Sequence, residues 1–246
     1  MIFSVMLVAV GGLSGALSLR VAARWSVPAG TPVRAACAAC GASFAEGWRG
    51  WVAFTSCPGR CRPAARDTAL AVAAGMALGA LLGWRMRPEA APEALLAAAW
   101  FVLLAAGLIL VRIDLAVRRL PTPIVWTATA GCLLLVAAAA TTAGSVRLLL
   151  AAIAGGAIYG GVYLLMAWAS AKARRARIGL GDVRLAVLLG TGLGAISGTA
   201  LFLGALLPYI LAVPAWVFLL RRGEGRHSLF AFGPFMFAGA AIAALT

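Results

Sequence analysis

Apolar runs of bilayer-crossing length recur from one end of this chain to the other, and that recurrence limits what it can fold into. A hydrocarbon core of roughly 30 Å needs about 20 apolar residues as a helix. Away from water every backbone N–H and C=O must be satisfied within the segment, which helices achieve. With 63% hydrophobic and 11% charged residues, the chain is too apolar for a soluble domain. Apolar continuity predicts an all-α polytopic membrane protein of about eight spans, at 2–19, 68–84, 94–111, 123–141, 148–169, 184–198, 200–220 and 229–245. The organisation expected is a first transmembrane helix (1–19), a small Cys-containing cytoplasmic loop (20–66) and a membrane core (67–246). The first segment lacks basic residues ahead of its apolar stretch and a small-x-small cleavage site, so it reads as a retained helix.

Between the sixth and seventh spans, Gly190, Gly192, Gly194 and Gly198 either break one long helix or let two helices pack closely. The net charge of +14 does not point to nucleic acid, because the basic residues fall in short loops between spans. Of 21 Lys and Arg, all but Arg85, Arg87 and Arg147 lie in or beside the loops 20–66, 112–122, 170–183 and 221–228. Basic residues are retained on the cytoplasmic side during insertion, so those four loops are expected there and both termini outside. Anionic lipid headgroups are the natural partners of such loops.

Only seven acids occur. Glu46, Glu89, Glu93 and Glu224 fall in loops, and Asp67 reads as the N-cap of the second span. Asp114 and Asp182 differ, since each stands at the edge of an apolar helix, where a carboxylate is costly and usually functional. The topology puts both at one depth on the cytoplasmic side. Two carboxylates within hydrogen-bonding distance share a proton. The ionised one can take a proton from water attacking a peptide carbonyl while its protonated partner polarises that carbonyl. Other hydrolytic designs lack residues: the one histidine is His227 in a short loop, and neither GxSxG nor HExxH occurs. Cys132, within a span, reads as an apolar filler. Two independent ion pairs, Asp114 with Arg112 or Arg118 and Asp182 with Arg184 or Arg177, are the alternative reading. A proton-coupled transporter would use the same acids as a relay, although such proteins place them nearer the midplane; a scaffold without catalysis is the third class.

The segment Arg177-Ile178-Gly179-Leu180-Gly181-Asp182-Val183-Arg184 resembles the GxGD signature of the type IV prepilin peptidases, membrane aspartic peptidases related in motif to presenilin-type proteases. Gly179, Gly181 and Asp182 carry the match. Ile113-Asp114-Leu115-Ala116-Val117-Arg118-Arg119-Leu120-Pro121 is similar to the family's other aspartate motif, with Thr122 where the family usually has Asn. The glycine-rich run 11–20 and Phe232-Gly233-Pro234-Phe235 extend the likeness over nearly the whole chain. The resemblance implies that Asp114 and Asp182 are catalytic, supported by Gly179 and Gly181. It also implies cleavage of the leader peptide of prepilin or pseudopilin precursors at the cytoplasmic face of the bacterial inner membrane.

Four thiols in the 20–66 loop, Cys37, Cys40, Cys57 and Cys61, suggest tetrahedral structural zinc in a reducing compartment, with degenerate thiols as the alternative. Family members with this loop carry two CxxC pairs, and many also methylate the new N-terminus with S-adenosylmethionine. Here the second pair is Cys57-Pro58-Gly59-Arg60-Cys61, and Ala64-Ala65-Arg66-Asp67 stands where the family has a glutamate. S-adenosylmethionine is therefore expected as a cofactor only if methylation is retained. Trp48, Trp51 and Phe54 read as interfacial anchors.

Overall fold

The computed structural model describes residues 2–28, 30–38, 40–44, 65–86, 89–172, 179–221 and 231–246. These form eight helices: α1 (Ile2–Trp25), α2 (Ala65–Met86), α3 (Ala91–Val117), α4 (Thr122–Thr142), α5 (Val146–Lys172), α6 (Leu180–Ile196), α7 (Gly198–Arg221) and α8 (Gly233–Ala243). Among the described residues six helices, α1 to α5 and α7, are long and apolar enough to cross a membrane. Large apolar side chains stand exposed along them, including Leu134 at 71% and Phe202 at 66%. Such surface has no place in water and suits lipid. The chain is an all-α polytopic membrane protein.

Helix ends differ from the apolar runs in instructive ways. α1 continues past residue 19 to Trp25 and buries Arg20 and Arg24. α3 continues through Arg112 to Val117, so Asp114 lies inside its last turn and not after the helix. Charged residues end an apolar run without ending a helix, because Arg and Asp keep their backbone hydrogen bonds. α2 starts by Ala65, which puts Asp67 within the first turn instead of at the cap. The last expected span is the 11-residue α8, with Pro234 in its first turn; at about 1.5 Å per residue it is too short to cross a bilayer alone.

The glycine-rich stretch holds two helices. α6 stops at Ser197, whose extended backbone (φ −168°, ψ 161°) takes it out of the helix, and the Ser197 hydroxyl accepts the Ala200 amide at 3.0 Å to cap α7.

The chain forms two compact units, Met1–Arg87 with Leu104–Arg119, and Pro88–Leu103 with Leu120–Thr246. In the first, α1 and α2 touch backbone to backbone: a Cβ on Gly11 would strike the Gly75 carbonyl, and one on Gly75 the Gly11 carbonyl. In the second, α5 and α6 cross as closely, with Gly155 against Gly190 and Gly194. Small residues allow this approach, which dispersion rewards where lipid supplies no hydrophobic drive.

Candidate active site

Asp114 belongs to the first unit. It is 4% exposed and falls one helical turn after the buried Leu110, beside the fully buried Ile113. The carboxyl-bearing position thus shares the inward face of α3. The helix is closed by the Arg118 amide donating to the Asp114 carbonyl oxygen at 2.8 Å, and Arg118 itself adopts a left-handed conformation, φ 52°. That geometry ends helices and redirects the chain. Arg119 then donates through Nη1 to the carbonyl oxygens of Val27 at 3.2 Å and Pro28 at 2.7 Å.

Asp182 belongs to the second unit and is half-buried in the first turn of α6. The capping position is Gly179, not Asp182; the Gly179 carbonyl oxygen accepts the Asp182 amide at 3.0 Å and the Val183 amide at 3.4 Å. A Cβ placed on Gly179 would lie 3.5 Å from Asp182 Oδ2, so the carboxylate is folded back over the glycine. An acid in a first turn is favoured by the helix dipole.

The surroundings of Asp182 join the two sequence motifs. Arg184 Nη1 donates to the Thr122 hydroxyl at 2.7 Å. A Cβ on Gly181 would sit 3.1 Å from Leu120 Cβ. The Leu120-Pro121-Thr122 turn that closes the Asp114 motif therefore packs on the glycine turn that presents Asp182. Thr122 supplies the oxygen that Arg184 uses. The two aspartates themselves lie in different units.

Gly181→Val tests this turn. Its branched side chain crowds Leu120, which must shift to admit it, and overpacking costs about 1–3 kcal/mol. If Asp182 is catalytic, we expect near-normal accumulation in membranes and a loss of at least about tenfold in activity, read against wild type in the same membranes.

Residue patterns did not reveal an aromatic cluster in the second unit. All three tyrosines of the chain meet there with Phe232. Tyr159 and Tyr163 contact edge-on with centroids 5.3 Å apart, Tyr163 stacks on Tyr209 at 6.2 Å, and Tyr209 meets Phe232 at 5.4 Å. The Tyr159 hydroxyl donates to the Gly204 carbonyl oxygen at 2.5 Å and the Tyr209 hydroxyl to Met166 Sδ at 3.3 Å. The only signal in sequence is the four-residue spacing of Tyr159 and Tyr163, which puts them on one helix face.

Cys37 and Cys40 flank a tight turn. An isolated bridge pairs Ala36 with Ser43, the Cys37 amide donates to the Ala42 carbonyl oxygen and the Gly41 amide to the Cys37 carbonyl oxygen, both at 2.9 Å. Gly41 takes φ 72°, where a side chain would be strained. Such a turn suits one thiol pair of a tetrahedral site. Cys57 and Cys61, with Trp48, Trp51, Phe54, Glu46, Arg177, Glu224 and His227, lie outside the described residues. Among the described residues, no three His, Cys, Asp or Glu converge as a metal site. Cys132 is fully buried, as its apolar setting leads one to expect.

The helical architecture and the surroundings of Asp114 and Asp182 define the class, a multi-helix membrane protein with a buried acid at one helix end and a second acid at a glycine turn. No protein-family model, curated protein or solved structure matches the chain.

Proposed function

We propose that this chain is a membrane aspartic endopeptidase of the prepilin peptidase type, cleaving the leader from prepilin or pseudopilin precursors. The observation that carries the reading is the packing of Leu120 and Thr122 on Gly181 and Arg184, which joins the closing turn of one aspartate motif to the glycine turn of the other. Six residues of chain run from Asp114 to Leu120.

In this reading one carboxylate takes a proton from water as the water oxygen bonds to the scissile carbonyl carbon. The partner carboxylic acid donates its proton to the carbonyl oxygen, giving a neutral gem-diol. Collapse of that intermediate breaks the C–N bond, and the amine leaves with a proton returned by the dyad. The site faces the cytoplasm of the bacterial inner membrane, because the basic loops adjoin both aspartates and basic loops stay inside. A precursor with a basic leader before an apolar helix presents its scissile bond at that depth. Zinc held by Cys37, Cys40, Cys57 and Cys61 would brace the loop after α1. N-methylation with S-adenosylmethionine is an optional second activity.

The test is cleavage of a co-expressed prepilin in membranes by wild type, Asp114→Asn and Asp182→Asn, with accumulation of all three checked. Mass spectrometry of the product N-terminus reads methylation in the same experiment. Processing that persists in either well-inserted variant rules out the dyad.

A further inference from the structure

The segment after α1 is a folded cap on the end of that helix. The Arg34 amide donates to the Arg24 carbonyl oxygen at 3.1 Å, and Arg34 Nη1 donates to that of Ala23 at 3.4 Å. The Phe44 amide donates to the Ala35 carbonyl oxygen at 2.8 Å. The Phe44 ring, 9% exposed, lies under the Arg24 guanidinium at 4.5 Å and the Arg20 guanidinium at 6.0 Å. Cation–π contacts of this kind are strongest where water is displaced. The cap also carries the Cys37 turn.

One side chain ties this cap to α3. Arg119 Nη1 reaches the carbonyl oxygens of Val27 and Pro28, residues 92 and 91 positions earlier in the chain. On the α3 side, only Arg118 separates Arg119 from the end of the helix, and the Arg118 amide closes the turn that contains Asp114. A pull or release at Arg119 therefore acts on the last turn of α3, where Asp114 sits with little freedom at 4% exposure. Both bonds leave a single nitrogen, Nη1, so a lysine ammonium at this position keeps the charge and the donors but must reach the same two carbonyls from a differently shaped stem.

We propose that Arg119 is a positioning residue that clamps the last turn of α3 to the cap behind α1 and so holds the Asp114 carboxyl in place for proton transfer. The proposal rests on the peptidase reading of Asp114. It gives the cap a role in activity through this contact. The neighbouring Arg118 is exposed and does not share that role.

The experiment compares wild type, Arg119→Ala, Arg119→Lys and Arg66→Ala in membranes, reading hydrogen exchange across the described residues of 26–44 together with kcat and KM for a prepilin substrate. Arg66 is exposed in the first turn of α2, so its removal controls for loss of a surface charge. Arg119→Ala is expected to speed exchange at the cap and lower kcat by roughly 10²-fold, the scale set by misplacing a reacting group by about 1 Å, with KM nearly unchanged. Arg119→Lys should recover part of both effects, and it carries the comparison if the alanine variant does not accumulate. Arg66→Ala should behave as wild type. Unchanged cap exchange in an active background overturns the clamp. Faster exchange with unchanged kcat, or a change confined to KM, overturns the positioning role. A wild type that cleaves no prepilin overturns the peptidase reading and the positioning role with it, leaving cap exchange to report the Arg119 contact alone.

Discussion

Asp114→Asn and Asp182→Asn are each expected to reduce leader cleavage by roughly 10²–10⁴-fold or more, the range that general acid–base catalysis contributes, while both variants insert and accumulate as wild type. Asparagine keeps the size and planar shape of the side chain but can neither accept the proton of the attacking water nor pass one to the carbonyl oxygen. The two losses should be alike in size and the double variant little worse than either, because groups that act as a unit are not additive. Folding provides the control. Asp114 is almost wholly buried and Asp182 half-buried, so if either served only structure, its variant would lose protein level before it lost turnover. A transporter using the same acids would lose proton flux in these variants while wild type left the prepilin intact.

Gly155→Leu is expected to destabilise the second unit by about 3 kcal/mol or more, the upper end of what overpacking costs, and to reduce cleavage with it. A Cβ on Gly155 runs into the Gly190 carbonyl and lies 2.8 Å from Gly194 Cα, so the obstacle is backbone and cannot step aside by changing rotamer. α5 and α6 would have to separate, and α6 carries Asp182 in its first turn. Gly161→Leu is the matched control on the same helix: no atom lies within 4 Å of its added Cβ. It should change stability by less than about 1 kcal/mol, in the stabilising direction, because leucine favours the helix over glycine. Thermal or denaturant unfolding in detergent, followed by helical signal, separates the two. Equal effects would mean that the α5–α6 crossing is not what the glycines serve.

The all-α membrane class, the approximate number of helices and the places of Asp114 and Asp182 near helix ends were legible in the sequence. Each depends on a local property: apolar length against bilayer thickness, and the cost of a carboxylate beside apolar residues. The glycine-rich stretch reads in sequence as two spans, 184–198 and 200–220, and Ser197 makes the break by leaving the helix and capping the next. Helix ends were misplaced wherever a charge fell inside a helix, as at Arg20 and Arg112, because hydropathy reads side chains while the helix is held by its backbone.

What tertiary structure alone decided is which residues face one another. Gly155 and Gly161 are both helical glycines in apolar sequence, yet one lies against Gly190 and the other has open space beside it. The tyrosine cluster draws on α5 and α7 and on Phe232, the Arg119 contact spans more than ninety residues, and Leu120 meets Gly181 across sixty. Composition and periodicity set what each segment can be, because those constraints act within a few turns of chain. Partners distant in sequence are chosen by packing, where fit between whole surfaces decides, and no single segment encodes that fit.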